Sequence, residues 1–304
     1  MFPRPDGTIV EPPHPRERIE TAMPTTAPTA VVTGGTGGLA RAVARALGTR
    51  PGAVVYLTGT DPVRGAEAAR DLRAAGRPVR WEPLDVRDPA QARHLAAELA
   101  ARHGGIDILV AVPGAQIGFD APIAAQVRDY VEANNHGLAR VLAAFLPVLR
   151  DGGRAVAVTG AFGSLEHLPL RLRDRFAGAG AAEVDAVMDA YVAAVEAGTA
   201  VAEGWPAWIE VASHVGQVAA VRAAAWGQDV GGERRDVLVN AVDPDVPDVA
   251  GLSSSAADTA WGQAAERILR AALPPAGAGE PHGELIRGGT VVPFAGERQQ
   301  PCTR

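Results

Sequence analysis

The stretch Thr33-Gly34-Gly35-Thr36-Gly37-Gly38-Leu39-Ala40 decides the fold of this 304-residue chain. It follows a short apolar strand, Ala30-Val31-Val32, and opens a helix that the pattern extends to Leu47. Glycines at such a strand-to-helix turn let the backbone approach a pyrophosphate, whose charge is favoured at the helix N-terminus. The stretch therefore predicts a dinucleotide site, or a site descended from one. The residues predicted to hold it are Gly34, Gly35, Thr36, Gly38 and Leu39.

Strands and helices alternate downstream of this turn. Near-continuous apolar runs such as 106–112 (IDILVAV) are typical of strands that helices cover on both faces. Strands are predicted at 30–32, 53–57, 79–86, 106–112, 154–158, 237–242 and, as a last edge strand, 284–286, and helices at 39–47, 62–75, 89–102, 121–149, 207–225 and 257–272. This order predicts an α/β, Rossmann-like fold with one doubly wound parallel sheet, strand order 3-2-1-4-5-6-7, and a pocket at the ends of strands 4 and 5.

Two segments depart from this alternation. Residues 1–28 are rich in proline and poor in apolar side chains, so they predict a disordered tail in which Met23 is a candidate start. Residues 162–204 are too long for a simple loop and contain a periodic stretch at 182–195. We interpret them as a helical insert within one domain that spans residues 29–304, since nothing in them resembles a second domain.

Composition excludes several classes of function. The net charge is −6, so no basic surplus exists to neutralise nucleic-acid phosphates. The single cysteine, Cys302, excludes a disulfide framework and a cysteine-based zinc site. No apolar run approaches the roughly 18 residues that a membrane span needs, which predicts a cytoplasmic protein without a membrane partner. All 29 basic residues are arginine, so any mechanism that requires a lysine is ruled out.

Two aspartates are candidates for contact with a nucleotide. Asp61 lies slightly late for binding ribose hydroxyls after the second strand and is equally suited to cap a helix that begins at Pro62. Asp85, in Leu84-Asp85-Val86, is better placed to meet an adenine at a strand end, or else to cap the helix that starts near Asp88. No arginine ends the second strand, where it would hold a 2′-phosphate.

From about Thr29 to Phe294 the chain resembles the short-chain dehydrogenase/reductase superfamily, and specifically its carbonyl-reductase branch. The resemblance rests on 33–38, Asp61 to Gly65 (DPVRG), Leu84-Asp85-Val86, Asn134, Glu203-Gly204-Trp205-Pro206 and Pro281-His282-Gly283. It implies an NAD(P) cofactor and a small-molecule carbonyl substrate. The insert 162–204 also resembles that branch, where it covers the helices that other members use to tetramerise, which implies a monomer.

The family's catalytic residues are a serine, a tyrosine, a lysine and a supporting asparagine. The resemblance places these roles on Ala161, Glu210, His214 and Asn134, so only the asparagine is kept. No shift of register recovers a tyrosine with a lysine four residues later, because the chain has no lysine.

Cofactor positions of the family also differ. Its Asn-Asn-Ala-Gly falls on 111–114 (AVPG), its Pro-Gly after the sixth strand falls on Pro244-Asp245, and its 2′-phosphate ligands fall on Gly37 and Thr60. These differences predict weakened NAD(P) binding.

Glu210 and His214 stand four residues apart on one helix face, turned toward the family's pocket. We predict that they supply acid–base catalysis near neutral pH, with side chains within hydrogen-bond reach or one water apart at the floor of the main cleft. The alternative is an ordinary contact on a helix surface. A metal would need a third ligand, for which only His136 and His167 are candidates, so we predict none. The run Arg171, Arg173 and Arg175 is either a solvated face or a contact for an anionic substrate.

Three functions stay open. The first is non-redox acid–base catalysis, of isomerase, dehydratase or cyclase type, on a polyketide-like or other carbonyl compound of secondary metabolism. The second is an NAD(P)H-dependent ketoreductase whose substrate delivers its own proton. The third is an inactive relative that acts as a binding or scaffold protein. In each case we expect no reduction of simple ketones at the turnover typical of enzymes, about 10 per second.

Overall fold

A computed structural model of the protein describes residues 28–118, 120–227, 235–246, 252–273 and 277–295. The predicted tail, apart from Pro28, lies outside these residues. Within them the chain forms one sheet in the order β3-β2-β1-β4-β5-β6-β7-β8. The strands are β1 (Thr29–Val32), β2 (Val54–Gly59), β3 (Val79–Pro83), β4 (Ile106–Ala111), β5 (Leu149–Val158), β6 (Leu238–Asp243), β7 (Leu285–Arg287) and β8 (Thr290–Val292).

Strands β1 to β7 are parallel, which confirms the predicted fold, and β8 is an addition that pairs antiparallel with β7. Gly288 and Gly289 join these last two strands with φ angles of 57° and 85°. Two positive φ angles are what a tight two-residue hairpin requires, so the glycine pair explains the extra strand. The strand predicted at 284–286 is therefore not the edge of the sheet.

Helices cover both faces of the sheet. They are α1 (Gly38–Leu47), α2 (Pro62–Ala74), α3 (Pro89–His103), α4 (Ile123–Val131), α5 (Gly137–Phe145), α6 (Leu170–Arg173), α7 (Ala181–Glu196), α8 (Ile209–Gly227) and α9 (Ser254–Ala272). Side chains of α1, α2 and α9 form the core on one face, and those of α3, α4, α5, α7 and α8 form it on the other. Helix α7 belongs to the insert, and its Met188 and Tyr191 are fully buried in the second core, so the insert is part of the same domain.

Aspartates fix the starts of the two helices that follow β2 and β3. Asp61 accepts hydrogen bonds from the amides of Val63 and Arg64, and Asp88 does the same for α3 with Ala90 and Gln91. A proline follows each cap, where its missing N–H costs nothing. The capping role of Asp61 is confirmed, whereas the alternative that Asp85 caps α3 is wrong because Asp88 takes that place.

The single helix predicted over 121–149 is interrupted. A π-helical turn at Glu132–His136 separates α4 from α5, a 3₁₀ turn at Leu146–Val148 follows, and β5 then starts at Leu149, earlier than predicted. Pro147 ends the helical run because it has no amide hydrogen to donate. Turns of the π type occur mostly at functional sites, and this one carries Asn134.

No helix among the described residues combines the length and apolarity of a membrane-spanning segment.

Candidate functional site

A cleft of about 480 Å³ opens at the carboxyl ends of β1, β2, β3 and β4. Its walls are the glycine turn, the ends of β2 and β3, the loop that follows β4, the π turn and, from β5, Val158. The cleft thus lies where an open α/β sheet binds its ligand, at the point where the strand order reverses between β1 and β4. The ends of β4 and β5, where the pocket was predicted, are part of its wall, and the cleft also extends along the ends of β1, β2 and β3.

The glycine turn is shaped by close backbone approach. Gly34 has a φ of 100°, and a Cβ atom there would overlap the carbonyl oxygen of Val112. Gly35 has a φ of 80° and a Cβ there would meet nothing within 4 Å, so its backbone faces the cleft. Of the predicted cofactor residues, Gly34, Gly35 and Thr36 line the cleft. Gly38 and Leu39 do not, since a Cβ on Gly38 would overlap the Trp261 indole and Leu39 packs on the core.

The N-terminus of α1 is open toward the cleft. Its capping residue, Gly37, gives no side-chain hydrogen bond, and the first turn contains no acidic residue. The free amides and the positive end of the helix dipole therefore suit an anion such as a pyrophosphate. The glycine turn and the open N-terminus of α1 therefore fit the adenosine-diphosphate portion of a dinucleotide.

Arg64 supplies a cation at the rim of the cleft that the sequence prediction missed. The residue lies one turn into α2, and its guanidinium Nε is 3.5 Å from Asp61 Oδ2, with 78% of the side chain exposed. A phosphate-binding arginine is expected at the end of β2, and none stands there. Arg64 lies in the first turn of α2, which starts at the edge of the cleft, so the sequence signal is an arginine in that turn.

Asp85 lines the cleft as predicted, but its carboxylate is already engaged. Arg87 Nε donates to Asp85 Oδ1 at 2.9 Å, and Arg87 Nη2 donates to Oδ2 at 2.7 Å. These hydrogen bonds hold the pKa of Asp85 below its usual range. Trp81 also lines this end of the cleft, with its indole against Gly59 and Gly65. Sequence reasoning singled out neither Arg87 nor Trp81.

The π turn ties the cleft to two neighbouring elements. Asn134 accepts a hydrogen bond from the Ala115 amide at 3.1 Å and donates to the Ala115 carbonyl at 2.9 Å, which fixes the loop after β4. The next residue, Asn135, donates to the Ser213 carbonyl of α8 and accepts from the Ser213 hydroxyl at 2.7 Å. Asn134 lines the cleft, as predicted, with its amide occupied by backbone.

Glu210 and His214 do not meet. No hydrogen bond or ion pair joins them, although both are among the described residues, and neither lines the cleft. The charge of Glu210 acts instead on Tyr130 and Tyr191: burial first, and Glu210 second, raise the pKa of both phenols. The structure therefore shows no direct contact between them and places neither in this cleft, and their catalytic role stays a prediction.

The His214 ring lies in a largely apolar setting. It stacks on Phe162 at 6.0 Å between centroids and contacts Gly160, the residue before Ala161. Its Nδ1 is buried and has no hydrogen-bond partner. Burial lowers the pKa of His214 to about 4, with nearby Asp243 opposing the shift, so the imidazole is neutral at pH 7.

The other predicted histidines serve elsewhere. His136 bridges to α7, with Nδ1 and Nε2 each 3.1 Å from a carboxylate, of Asp185 and Asp189 respectively. His167 Nδ1 lies 3.1 Å from the Ser164 carbonyl. The described ranges hold no group of three or more His, Cys, Asp or Glu side chains arranged to bind a metal.

The three arginines of the insert hold its turns. Arg171 donates to the Glu203 carbonyl, and Arg173 donates to the carbonyls of Leu168 and Glu166. Arg175 lies over the Trp205 ring at 5.4 Å. These contacts explain the run without an anionic substrate.

Two NADPH carbonyl reductases from mammals are similar to this chain over nearly their whole length. Carbonyl reductase (NADPH) 3 of Mus musculus is 30% identical over 264 residues, which cover 85% of this chain and 95% of the relative. Carbonyl reductase (NADPH) 1 of Homo sapiens is 28% identical over 265 residues, covering 84% and 95%. A family model described as short chain dehydrogenase matches residues 28–169.

Solved structures share the fold. Salutaridine reductase from Papaver somniferum superposes with a TM-score of 0.69 at 22% identity, covering 85% of this chain and 99% of that one. A variant of actinorhodin polyketide ketoreductase with NADPH gives 0.56 at 21% identity, covering 86% and 95%.

Proposed function

The chain belongs to the short-chain dehydrogenase/reductase family, and within it we propose an NADPH-binding carbonyl reductase whose substrate supplies the proton. The observation that carries this proposal is the cleft at the glycine turn. Its open helix N-terminus suits a pyrophosphate, and Arg64 stands at the rim where a further phosphate would be neutralised. The two mammalian relatives named as NADPH carbonyl reductases favour this choice over a non-redox reaction.

Each part of the cleft has a separate task in this proposal. The backbone at Thr36 and the open N-terminus of α1 would hold the pyrophosphate, and Arg64 would hold the 2′-phosphate. Asp85 and Arg87 would face the adenine, and Asn134 keeps the loop after β4 in place through Ala115. When bound in this way, NADPH would supply a hydride to a carbonyl carbon.

The product oxygen must also be protonated. In the family a tyrosine and a lysine perform this step, and the resemblance places these two roles on Glu210 and His214 here. A reduced carbonyl leaves as an alcohol only after its oxygen gains a proton, and the chain contains no lysine to lower the pKa of a tyrosine. His214 is neutral at pH 7 and its Nδ1 is enclosed against Gly160. We therefore assign the proton to an acidic hydroxyl group of the substrate, close to the carbonyl that is reduced.

The non-redox alternative assigned acid–base catalysis to Glu210 and His214. It loses its geometric support because the two side chains interact with different neighbours.

The proposed enzyme is a monomer. Helix α7 packs on α4 and α8 and covers faces of both helices, which would otherwise be available for contact with another subunit.

The test is a titration followed by an assay. NADPH and NADH are titrated against the full chain with tryptophan fluorescence, and absorbance at the reduced nicotinamide band then follows turnover. We expect NADPH to bind, simple ketones to react slowly, and carbonyl compounds with a neighbouring phenol or enol to react at least tenfold faster. Absence of NADPH binding, or equal rates with both substrate classes, overturns the proposal.

A further inference from the structure

A dinucleotide needs space at both halves of the sheet. In an open α/β sheet one mononucleotide lies against the first three strands and the other against the strands beyond the switch point. Here the cleft is walled by β1 to β4, β5 contributes only Val158, and no described residue of β6, β7 or α8 lines it. The walls of this cleft therefore lie mainly on the adenosine half of the sheet.

Groups from the ends of three strands meet on the second half of the sheet. Arg287, the last residue of β7, donates through Nε to Asp243 Oδ2 at 2.6 Å and through Nη2 to the Ala161 carbonyl. Asp243 is the last residue of β6, and Ala161 follows β5 by three positions. We call this contact of Arg287 with Asp243 and the Ala161 carbonyl the strand-end bridge.

Neighbouring groups fix the position of Asp243 in the strand-end bridge. The Asp243 side chain is only 7% exposed, and its Oδ1 accepts the Asp245 amide at 2.9 Å. Asp245 has a φ of 50°, so the backbone turns sharply at this point. On the α8 side, the His214 ring lies on Gly160 and Phe162. Together these contacts join the ends of β6 and β7 to the segment after β5, and that segment to α8.

We propose that the strand-end bridge is a specificity determinant that makes the adenosine half of the cofactor, and not the nicotinamide half, the main source of binding affinity. The inference rests on the proposed function and deepens it. Entry of the nicotinamide half must displace Arg287, which leaves a buried carboxylate without its cation, and such a loss is strongly unfavourable. Adenosine ligands that lack nicotinamide should consequently compete with NADPH at comparable concentrations.

Calorimetric titration of the full chain tests this directly. The ligands are NADPH and 2′-phospho-ADP-ribose, which has the adenosine half and the second ribose but no nicotinamide. For the natural chain we expect dissociation constants within about threefold of each other. The double variant Asp243→Asn, Arg287→Ala removes the strand-end bridge without leaving an unpaired charge. It should bind NADPH at least tenfold tighter and 2′-phospho-ADP-ribose unchanged within twofold.

A matched control lies at the opposite end of the same strand. Glu284 precedes β7 and pairs with Arg222 at 3.1 Å, also partly buried. The double variant Glu284→Gln, Arg222→Ala should leave the affinity ratio of the two ligands unchanged. Circular dichroism melting checks that each variant folds. If the bridge variant does not fold, Arg287→Lys serves in its place, because lysine cannot hold both acceptors at once, and should give an intermediate ratio.

The outcomes separate the two proposals. The bridge proposal is overturned if the natural chain binds NADPH over thirtyfold tighter than 2′-phospho-ADP-ribose, or if the bridge variants leave the ratio unchanged. Should the expected ratios be found while no variant ever reduces a carbonyl compound, the proposed function fails and the bridge proposal stands. Failure of every protein to bind either ligand overturns both.

Discussion

The adenosine end of the cleft and the strand-end bridge are built in opposite ways. At the adenosine end the backbone does the shaping: Gly34 and Gly35 have positive φ angles and Gly35 opens into free space. At the other end side chains make the contacts, with Arg287 bonded to Asp243 and His214 against Gly160. We call the first end backbone-built and the second side-chain-built. A backbone-built site can accept a ligand as it stands, whereas a side-chain-built site accepts one only after its side chains move.

The largest effect is expected where the backbone has least freedom. Gly34→Val introduces a Cβ that overlaps the Val112 carbonyl at a φ of 100°. Backbone strain and overpacking each cost about 1–3 kcal/mol, so we expect about 2–5 kcal/mol less stability and loss of NADPH binding. Thermal melting and fluorescence titration measure both. Gly37→Ala is the control, because a Cβ there meets nothing within 4 Å. Equal stability of the two variants would contradict the backbone-built description.

The same contrast explains how much the sequence could predict. The glycine turn, the strand order and the cap at Asp61 were predicted and the structure has them, whereas α3 is capped by Asp88 and not by the predicted Asp85. The pairing of Glu210 with His214 did not follow, because helix periodicity gives a common face but not the side-chain directions. The His214 ring packs on Phe162 and Gly160, which are distant from α8 in the chain.

Arg287 illustrates a second limit of sequence reasoning. The residue lies 44 positions from Asp243 and 126 from Ala161, and only the pairing of β6 with β7 brings the three together. No local pattern signals such a contact. Arg64, in contrast, was within reach, since a helix that begins at the cleft places its first turn there.

The second-largest expected effect is a pH dependence of stability that arises from His214, at the side-chain-built end. The pKa of His214 is about 4 in the folded chain, against about 6.5 when unfolded. Only the unfolded chain gains a proton between these values, so stability falls as pH drops from about 6.5 toward 4, by about 3 kcal/mol in all. Urea unfolding from pH 7 to pH 4, with His214→Phe as the comparison, measures this. A variant with the same acid sensitivity as the natural chain would refute the assignment.

A smaller effect is expected at the rim of the adenosine end. Arg64→Ala should weaken NADPH binding about tenfold, close to 1.4 kcal/mol, and leave NADH binding unchanged, because only NADPH has the additional phosphate. Arg70→Ala is the matched control, since Arg70 lies on the same helix, is 70% exposed and is not part of the cleft. Competition titrations with both cofactors give the ratio. A parallel loss for NADPH and NADH would assign Arg64 to general electrostatics instead of phosphate recognition.

The smallest effect has the opposite pH dependence and lies at the π turn. Both ring nitrogens of His136 face a carboxylate at 3.1 Å, so both act as donors only when the ring is charged. The hydrogen bond to Asp185 raises the pKa of His136 against the effect of burial. Because the folded pKa lies above the unfolded value of about 6.5, this stabilisation is complete below that pH and is lost as pH rises through the folded pKa.

His136→Gln should therefore lose stability relative to the natural chain at pH 5.5, and the difference should shrink toward pH 9. The loss should stay modest, since Asp185 and Asp189 are 45% and 73% exposed and water screens their charges. His94→Gln, on the exposed face of α3, is the control and should show no such trend. Urea unfolding at the two pH values decides the matter. A deficit that is constant across this range would mean that His136 contributes through packing, and that the tie between the π turn and α7 does not depend on charge.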